Sequence, residues 1–195
     1  MTNKALIIVD IQNDFIENGA LAVEGGTALA ELVADLLETQ KFKKRYNLII
    51  TTQDWHINPG NHFAETPDYI DTWPVHCVAE TKGAEIAEPL KTVLQEINHI
   101  AIKKGMYEAA YSGFQGITDT HQTLDETLKN FNIEEVDIIG LATDYCVGET
   151  AIDAAKLGYT TNVIQDLTDG INPEKIAEFY NHTAPKHKIN LTTIL

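Results

Sequence analysis

The sequence is short of basic residues and of cysteines. Its 195 residues include 14 Lys and Arg against 29 Asp and Glu, which gives a formal net charge of −15. Proteins that bind nucleic acids neutralise phosphates with Lys and Arg, so this charge balance argues against a nucleic-acid partner. The two cysteines, Cys77 and Cys146, are too few for a disulfide framework. A small molecule is therefore the leading class of partner.

The sequence also lacks a long apolar run. No stretch approaches the roughly 20 apolar residues that a membrane-spanning helix needs, and the first residues do not show the charged-then-apolar pattern of a secretion signal. We therefore expect a cytoplasmic protein that binds no membrane. The length suits one domain, residues 1–195.

Short apolar runs alternate with amphipathic stretches along the chain. The runs predict strands at 5–9, 48–52, 97–103, 136–141 and 161–165, with a weaker one near 189–193. Thr27 is the expected N-cap of the first helix, Gly158 the expected end of a later one, and Asn172 the cap of the last. This alternation predicts right-handed βαβ units and an α/β fold, a three-layer α/β/α sandwich on a mostly parallel sheet.

One stretch, from about residue 53 to residue 85, does not fit this alternation. It is rich in Pro, Gly, His and aromatic residues, and an irregular insertion of this length is more often a functional loop than a spacer. It carries Asp54, His56, His62 and His76, one carboxylate and three imidazoles close together. Single histidines are usually ordinary surface or core residues, but this set suits a divalent metal such as zinc, iron or manganese.

Reactive side chains follow the predicted strands at the ends that share one edge of a parallel sheet. Asp10 follows the first strand, Asp54 and His56 the second, Lys104 the third and Cys146 the fourth. Ligands of open α/β sheets bind beyond the carboxyl ends of the strands. We therefore expect these residues to converge on one site.

Cys146 is the candidate nucleophile. Thr143 or Asp144 is expected to cap the following helix, which would place Cys146 in its first turn. There the helix dipole favours a thiolate, and free amides can receive an oxyanion. The alternative is that Cys146 is simply a small buried apolar residue.

Asp10 is the candidate base for that thiol, because a carboxylate beside a pocket of low polarity can accept and return a proton. The alternative is a capping role after the strand. Lys103 and Lys104 point to opposite sides of their strand, so only one of them can face the site. We choose Lys104, which would hold both anions, because Gly105 lets the backbone turn inward directly after it.

Aromatic residues flank the predicted site. Core packing is the ordinary role of an aromatic side chain, but Phe15 and Trp73 lie in loops beside the site and could form an apolar slot for a flat ring. Tyr111 and Tyr145 are further candidates for contact with the substrate.

Six segments together resemble the nicotinamidase/pyrazinamidase family, within the isochorismatase-like cysteine hydrolases. They occur in the order found in that family and span most of the chain from residue 8 to about residue 170. The segments are IVDIQNDF at 8–15, DWHINPGNHF at 54–63, WPVHCV at 73–78, KG at 104–105, YSGF at 111–114 and GLATDYCV at 140–147.

The resemblance implies a set of site residues. The catalytic triad would be Asp10, Lys104 and Cys146. A divalent metal, with zinc as the first choice and iron or manganese as alternatives, would be held by Asp54, His56 and His76, with His62 as a fourth ligand in some members.

The resemblance also implies a six-stranded sheet in the order 3-2-1-4-5-6 and a non-proline cis peptide bond before Ala142. The backbone amides of Ala142 and Cys146 would then form the oxyanion hole.

The activity implied is hydrolysis of nicotinamide to nicotinate and ammonia through a Cys146 thioester, in pyridine-nucleotide (NAD) salvage, with pyrazinamide as a further substrate. An alternative is another metal-containing amidohydrolase of the same superfamily, acting on a carbamoyl or ureido substrate. An isochorismatase would leave the metal cluster without a role, and the intact triad argues against a binding module that has lost catalysis. The selectivity among ring carboxamides, the identity of the metal and the formation of a homo-oligomer remain open at this point.

Overall fold

A single parallel sheet forms the centre of the structure, a computed structural model that describes residues 2–194. Its strands are β1 (Lys4–Val9), β2 (Leu48–Asp54), β3 (Ile100–Lys104), β4 (Glu135–Leu141), β5 (Thr160–Asp169) and β6 (Asn190–Thr192). They are arranged in the order β3-β2-β1-β4-β5-β6, and each adjacent pair is parallel. The predicted α/β class and strand order are confirmed.

Helices connect the strands and cover both faces of the sheet. They are α1 (Gly26–Glu38), α2 (Gln40–Lys43), α3 (Leu90–Gln95), α4 (Leu124–Asn130), α5 (Gly148–Lys156), α6 (Pro173–Glu178) and α7 (Ala184–Lys186). Among residues 2–194, no helix combines the length and the apolar character that crossing a bilayer requires.

The apolar run of β1 is buried on both sides because successive residues of a strand point to opposite faces. Leu6 and Ile8 pack in a core with residues of α1 and α3. Ile7 and Val9 pack in a second core with residues of α4 and α5. The central strand therefore holds the two helical layers together, and its end is fixed at the middle of the sheet.

Gly158 and Asn172 lie at the helix ends that the sequence predicts, whereas Thr27 does not. Gly158, with φ of +95°, follows α5, and Asn172 accepts backbone hydrogen bonds from the first turn of α6, both as expected. Thr27, however, lies inside α1, whose cap is Gly25 with φ of +87°. The Thr27 prediction is wrong because Glu17 supplies the capping oxygens, accepting from the amide of Gly25 at 2.8 Å and that of Thr27 at 2.7 Å.

The long stretch after β2 folds back onto the end of β1. The Cys77 amide donates to Asp14 Oδ2 at 2.7 Å, and the Gln12 side chain donates to the Ala84 carbonyl at 2.8 Å. The stretch contains only short helical turns, at Gly60–His62 and Lys82–Ala84. Its histidines are thereby carried to the carboxyl edge of the sheet.

Candidate active site

Four neighbouring strands deliver buried reactive side chains to one edge of the sheet. Asp10 directly follows β1, Asp54 ends β2, Lys104 ends β3, and Cys146 lies in the turn after β4. All four are buried. The structure therefore brings together the residues whose convergence the strand ends predict.

Lys104 lies at the centre of this group. Its Nζ is 2.9 Å from Asp10 Oδ2, contacts Asp54 Oδ1 directly, and is 3.6 Å from Cys146 Sγ. Burial disfavours the charge of the ammonium group, but Asp10 and Asp54 outweigh burial and raise the pKa of Lys104 well above its usual value. Lys104 is therefore a permanent cation between two carboxylates and a thiol.

Asp10 is held in an unusual backbone conformation, with φ of +49°. The hydroxyl of Thr52 donates to its Oδ1 at 2.6 Å. Burial raises the pKa of Asp10, while the Lys104 charge acts in the opposite direction. Burial also raises the pKa of the Cys146 thiol. The resting thiol therefore keeps its proton, and an Asp10 carboxylate oxygen that can accept it lies within 4.8 Å of the sulfur.

The turn that carries Cys146, Thr143–Val147, is π-helical and is called the nucleophile turn below. Neither Thr143 nor Asp144 caps it, so that prediction is wrong. The Ala142 carbonyl closes the turn instead, because it accepts the amides of Tyr145 and Val147 at 3.0 Å each. The Leu141–Ala142 peptide bond is cis, as the resemblance implies.

Three buried histidines, His56, His62 and His76, each offer one ring nitrogen within 4.8 Å of the other two. The Nδ1 atoms of His56 and His76 lie 2.6 and 2.8 Å from the carbonyls of Gly105 and Pro74, so each donates its proton there. Their Nε2 atoms then carry lone pairs that face the cluster.

The ring nitrogens and the carboxylate oxygen that face one another in this cluster have no proton between them to form a hydrogen bond. The Nε2 atoms of His56 and His76 are 3.3 Å apart, and they lie 3.7 and 3.8 Å from Asp54 Oδ2. The Nδ1 of His62 is buried without a hydrogen-bond partner, and burial lowers the pKa of His62 to about 4, which keeps it neutral. Lone pairs that face one another fit a divalent cation held between them.

A pocket of about 490 Å³, including its open mouth, connects the thiol to this cluster. Its walls include all four predicted aromatic residues, Phe15, Trp73, Tyr111 and Tyr145. The Trp73 indole donates to the Tyr111 hydroxyl at 3.0 Å, and its ring meets that of Tyr145 edge-on at 5.3 Å. The pocket therefore has the flat, apolar walls that suit an aromatic ring.

Sequence reasoning missed two residues that fix the site. The Thr52 hydroxyl holds Asp10, and the Gln12 side chain exchanges two hydrogen bonds of 2.9 Å with the backbone of Asp54. The sequence did contain a signal for Thr52. Residues 52 and 54 point to the same side of a strand, so Thr52 is expected to face the same side as the site residue Asp54. Gln12 gave none, because its partner lies 42 positions away.

Comparisons of the sequence and of the structure with known proteins both identify the family of this chain. Residues 4–193 match the isochorismatase domain family. The chain is 45% identical over 171 residues to the nicotinamidase/pyrazinamidase of Mycobacterium tuberculosis, covering 88% of this chain and 89% of that one.

Two solved structures extend the comparison. The yeast nicotinamidase bound to the inhibitor nicotinaldehyde has a TM-score of 0.82 at 32% identity, covering 97% of this chain and 99% of that one. The pyrazinamidase of Pyrococcus horikoshii in complex with zinc has a TM-score of 0.81 at 35% identity, covering 98% and 99%. This chain belongs to the isochorismatase family and, within it, to the nicotinamidase/pyrazinamidase group.

Proposed function

We propose that the protein hydrolyses nicotinamide to nicotinate and ammonia, and that pyrazinamide is also a substrate. One observation carries the proposal: the Cys146 thiol, with its acid–base and cationic partners, opens into the same aromatic pocket as the histidine cluster. A flat ring carboxamide fills such a pocket better than a flexible ureido chain, which makes the carbamoyl or ureido alternative less suitable. Hydrolysis of free nicotinamide places the protein in pyridine-nucleotide salvage.

In the first half of the proposed reaction, the pyridine ring enters between Phe15 and Trp73. Asp10 accepts the proton of Cys146, and the Lys104 ammonium stabilises the resulting thiolate. The sulfur attacks the amide carbon, and the amides of Ala142 and Cys146 stabilise the oxyanion.

In the second half, Asp10 returns its proton to the leaving nitrogen, the C–N bond breaks and ammonia departs. The Cys146 thioester remains. Asp10 then takes a proton from water while the water oxygen attacks the thioester carbon. The C–S bond breaks, Asp10 returns that proton to the sulfur, and nicotinic acid and the free Cys146 thiol form. The sum is one nicotinamide and one water converted to one nicotinic acid and one ammonia.

Asp54, His56, His62 and His76 are the residues that would hold a divalent ion, with zinc first because imidazole nitrogen and carboxylate oxygen are ligands it favours, and iron or manganese next. The zinc complex of the Pyrococcus horikoshii relative supports this choice. When bound, the ion would supply a Lewis acid for the ring nitrogen of the substrate. This chain's residues then serve to orient the ring so that its carboxamide meets the thiol.

The test is ammonia release from nicotinamide, benzamide and a small set of carbamoyl compounds. Benzamide keeps the ring and the amide but lacks the ring nitrogen, so we expect its kcat/KM to be lower by at least about 100-fold. Cys146→Ala should abolish turnover and still bind nicotinate. Faster release from a carbamoyl compound would replace the proposal with the alternative, and retained turnover in Cys146→Ala would remove the nucleophile assignment.

The metal proposal has its own measurement. We expect elemental analysis of the purified protein to find about one divalent ion per chain, and chelation to remove both the ion and the activity. If a metal-free preparation keeps full activity, the proposed role of the cluster fails while the thiol chemistry stands.

A further inference from the structure

A segment outside the catalytic group is tied to the nucleophile turn. This outer segment, residues 170–175, comprises the link from β5 to α6 and the first turn of α6. The carboxylate of Asp144 accepts the amide of Ile171 at 3.0 Å through Oδ1 and the amide of Asn172 at 2.9 Å through Oδ2. A Cβ at Gly170 would lie 2.5 Å from Asp144 Oδ1, so a larger residue there would displace the Asp144 carboxylate. The backbone of the outer segment is thus held directly against the turn that carries Cys146.

A second tie runs from α6 to the aromatic wall of the pocket. The Lys175 ammonium donates to the Tyr145 hydroxyl at 3.1 Å and lies 4.9 Å from the centre of its ring. The Tyr145 ring in turn stacks on Tyr111 at 6.2 Å and meets Trp73 at 5.3 Å. A cation bonded to the hydroxyl and seated over the ring restricts the rotamer of Tyr145, and with it the width of the pocket.

Ile171, whose amide makes the first of these contacts, also lines the pocket, and the residue is 48% exposed. It does not belong to the thiol group or to the histidine cluster, so the proposed chemistry gives it no part. A half-exposed aliphatic side chain at a pocket wall is placed to meet whatever the substrate ring carries beyond the buried carboxamide and ring nitrogen.

We propose that the outer segment determines which ring substituents the enzyme accepts, with Ile171 as the limiting side chain and Asp144 and Lys175 as positioning residues. The proposal rests on the proposed function for its choice of substrates. A smaller side chain at position 171 makes room for a larger ring. Loss of the hydrogen bond from Lys175 allows the Tyr145 ring, which lines the pocket, to change its rotamer.

The first experiment compares nicotinamide with quinoline-3-carboxamide, which carries a second ring fused to the same pyridine carboxamide. Ile171→Ala should raise the ratio of kcat/KM for the larger amide over nicotinamide by about 10-fold or more, the effect of one to two methylene groups in an apolar pocket. The matched control is Leu32→Ala, which removes an exposed aliphatic side chain on α1. A ratio for Ile171→Ala within about twofold of the control would overturn the proposal.

The second experiment tests positioning by Lys175. Lys175→Met should raise the KM for nicotinamide more than it lowers kcat, since the loss falls on ring binding. Lys175→Arg, which keeps a cationic donor, should restore most of the KM. The control is Lys156→Met, which removes an exposed lysine paired with Asp153 on α5. An equal fall in kcat with unchanged KM would refute positioning of the ring.

A binding measurement separates this inference from the proposed function. If the wild-type protein releases no ammonia from nicotinamide, the proposed function fails, and Kd values for nicotinate and quinoline-3-carboxylate from tryptophan fluorescence decide the inference. Ile171→Ala must then tighten binding of the larger acid relative to the smaller one. An unchanged Kd ratio would refute the role of the outer segment.

Discussion

Replacement of Lys104 by methionine should destabilise the protein strongly, whereas the same change at Lys103 should not. Methionine keeps most of the lysine stem and removes the charge. Lys104 is fully buried and pairs with Asp10 and Asp54. Lys103, the adjacent residue on the opposite side of β3, pairs with Asp119, whose side chain is 81% exposed. The two variants therefore differ in burial with the residue type held constant.

The expected magnitude follows from the partners that each lysine leaves behind. Loss of one member of a buried ion pair leaves an uncompensated buried charge and costs about 3–5 kcal/mol. For a chain of this size, about 2–4 °C of Tm accompany each kcal/mol, so Lys104→Met should lower Tm by about 6–20 °C. Lys103→Met removes a pair whose lysine is 24% exposed and whose carboxylate is 81% exposed, and it should cost about 1 kcal/mol or less.

The pH dependence gives a second readout of the same perturbation. Burial raises the pKa of Asp10 above that of the unfolded chain, and the Lys104 charge opposes this shift. Without Lys104 the pKa of Asp10 should rise further. The folded state then holds a proton that the unfolded state has released, so the stability of Lys104→Met should fall as pH rises above about 4, the ordinary pKa of an aspartate in an unfolded chain.

Thermal and urea unfolding of both variants at fixed metal concentration, across that pH range, would measure these effects. The reasoning is refuted if Lys104→Met unfolds within about 1 kcal/mol of Lys103→Met at pH 7. It is also refuted if Lys104→Met becomes more stable as pH rises.

Three further predictions concern single contacts. Thr52→Val should lower kcat about tenfold or more with little change in KM, because Asp10 loses the hydroxyl that orients it. Thr52→Ser should restore kcat, and steady-state kinetics of both variants measure the effect. Gly105→Ala should weaken metal affinity by about 10-fold or more, because a Cβ there would lie 2.6 Å from the His56 ring and would displace this ligand. Metal titration in competition with a chelating dye measures the affinity, and an unchanged affinity would contradict the prediction. Glu17, whose pKa is lowered to about 2 by its bonds at the start of α1, should contribute stability above pH of about 4 that is lost as pH falls toward 2. Glu17→Gln should lower stability by about 0.5 kcal/mol at pH 7 and remove that dependence in acid unfolding curves, the exposure of the site keeping the effect small.

The sequence predicted the strands well where burial is continuous and less well at their ends. The run 5–9 is buried on both faces, so its apolar pattern marks β1 closely. For β3 the prediction of 97–103 began too early, because Ile97 belongs to the turn that ends α3, where its amide donates to Leu94. For β5 it ended too soon, because polar residues continue the strand to Asp169 beside the irregular pairing at Gly140.

Cap predictions depended on whether the partner was local. Asn172 bonds to amides two and three residues ahead of it, and the sequence predicted this cap. Asp144 looked equally suited to cap its own turn, yet its carboxylate accepts amides 27 and 28 positions away. A polar side chain near a helix start can satisfy either kind of donor, and local sequence does not choose between them.

The sequence by itself determined the alternation of strands and helices, the reactive residue after each strand, and the resemblance that names Asp10, Lys104 and Cys146. These features are local patterns or ordered motifs, and each can be read without knowing what packs against what. The tertiary structure alone decided that Lys104 separates two carboxylates, that Thr52 holds Asp10, and that the outer segment bonds to the nucleophile turn. Such contacts join distant positions, because strand order and register bring them together only once the sheet has formed.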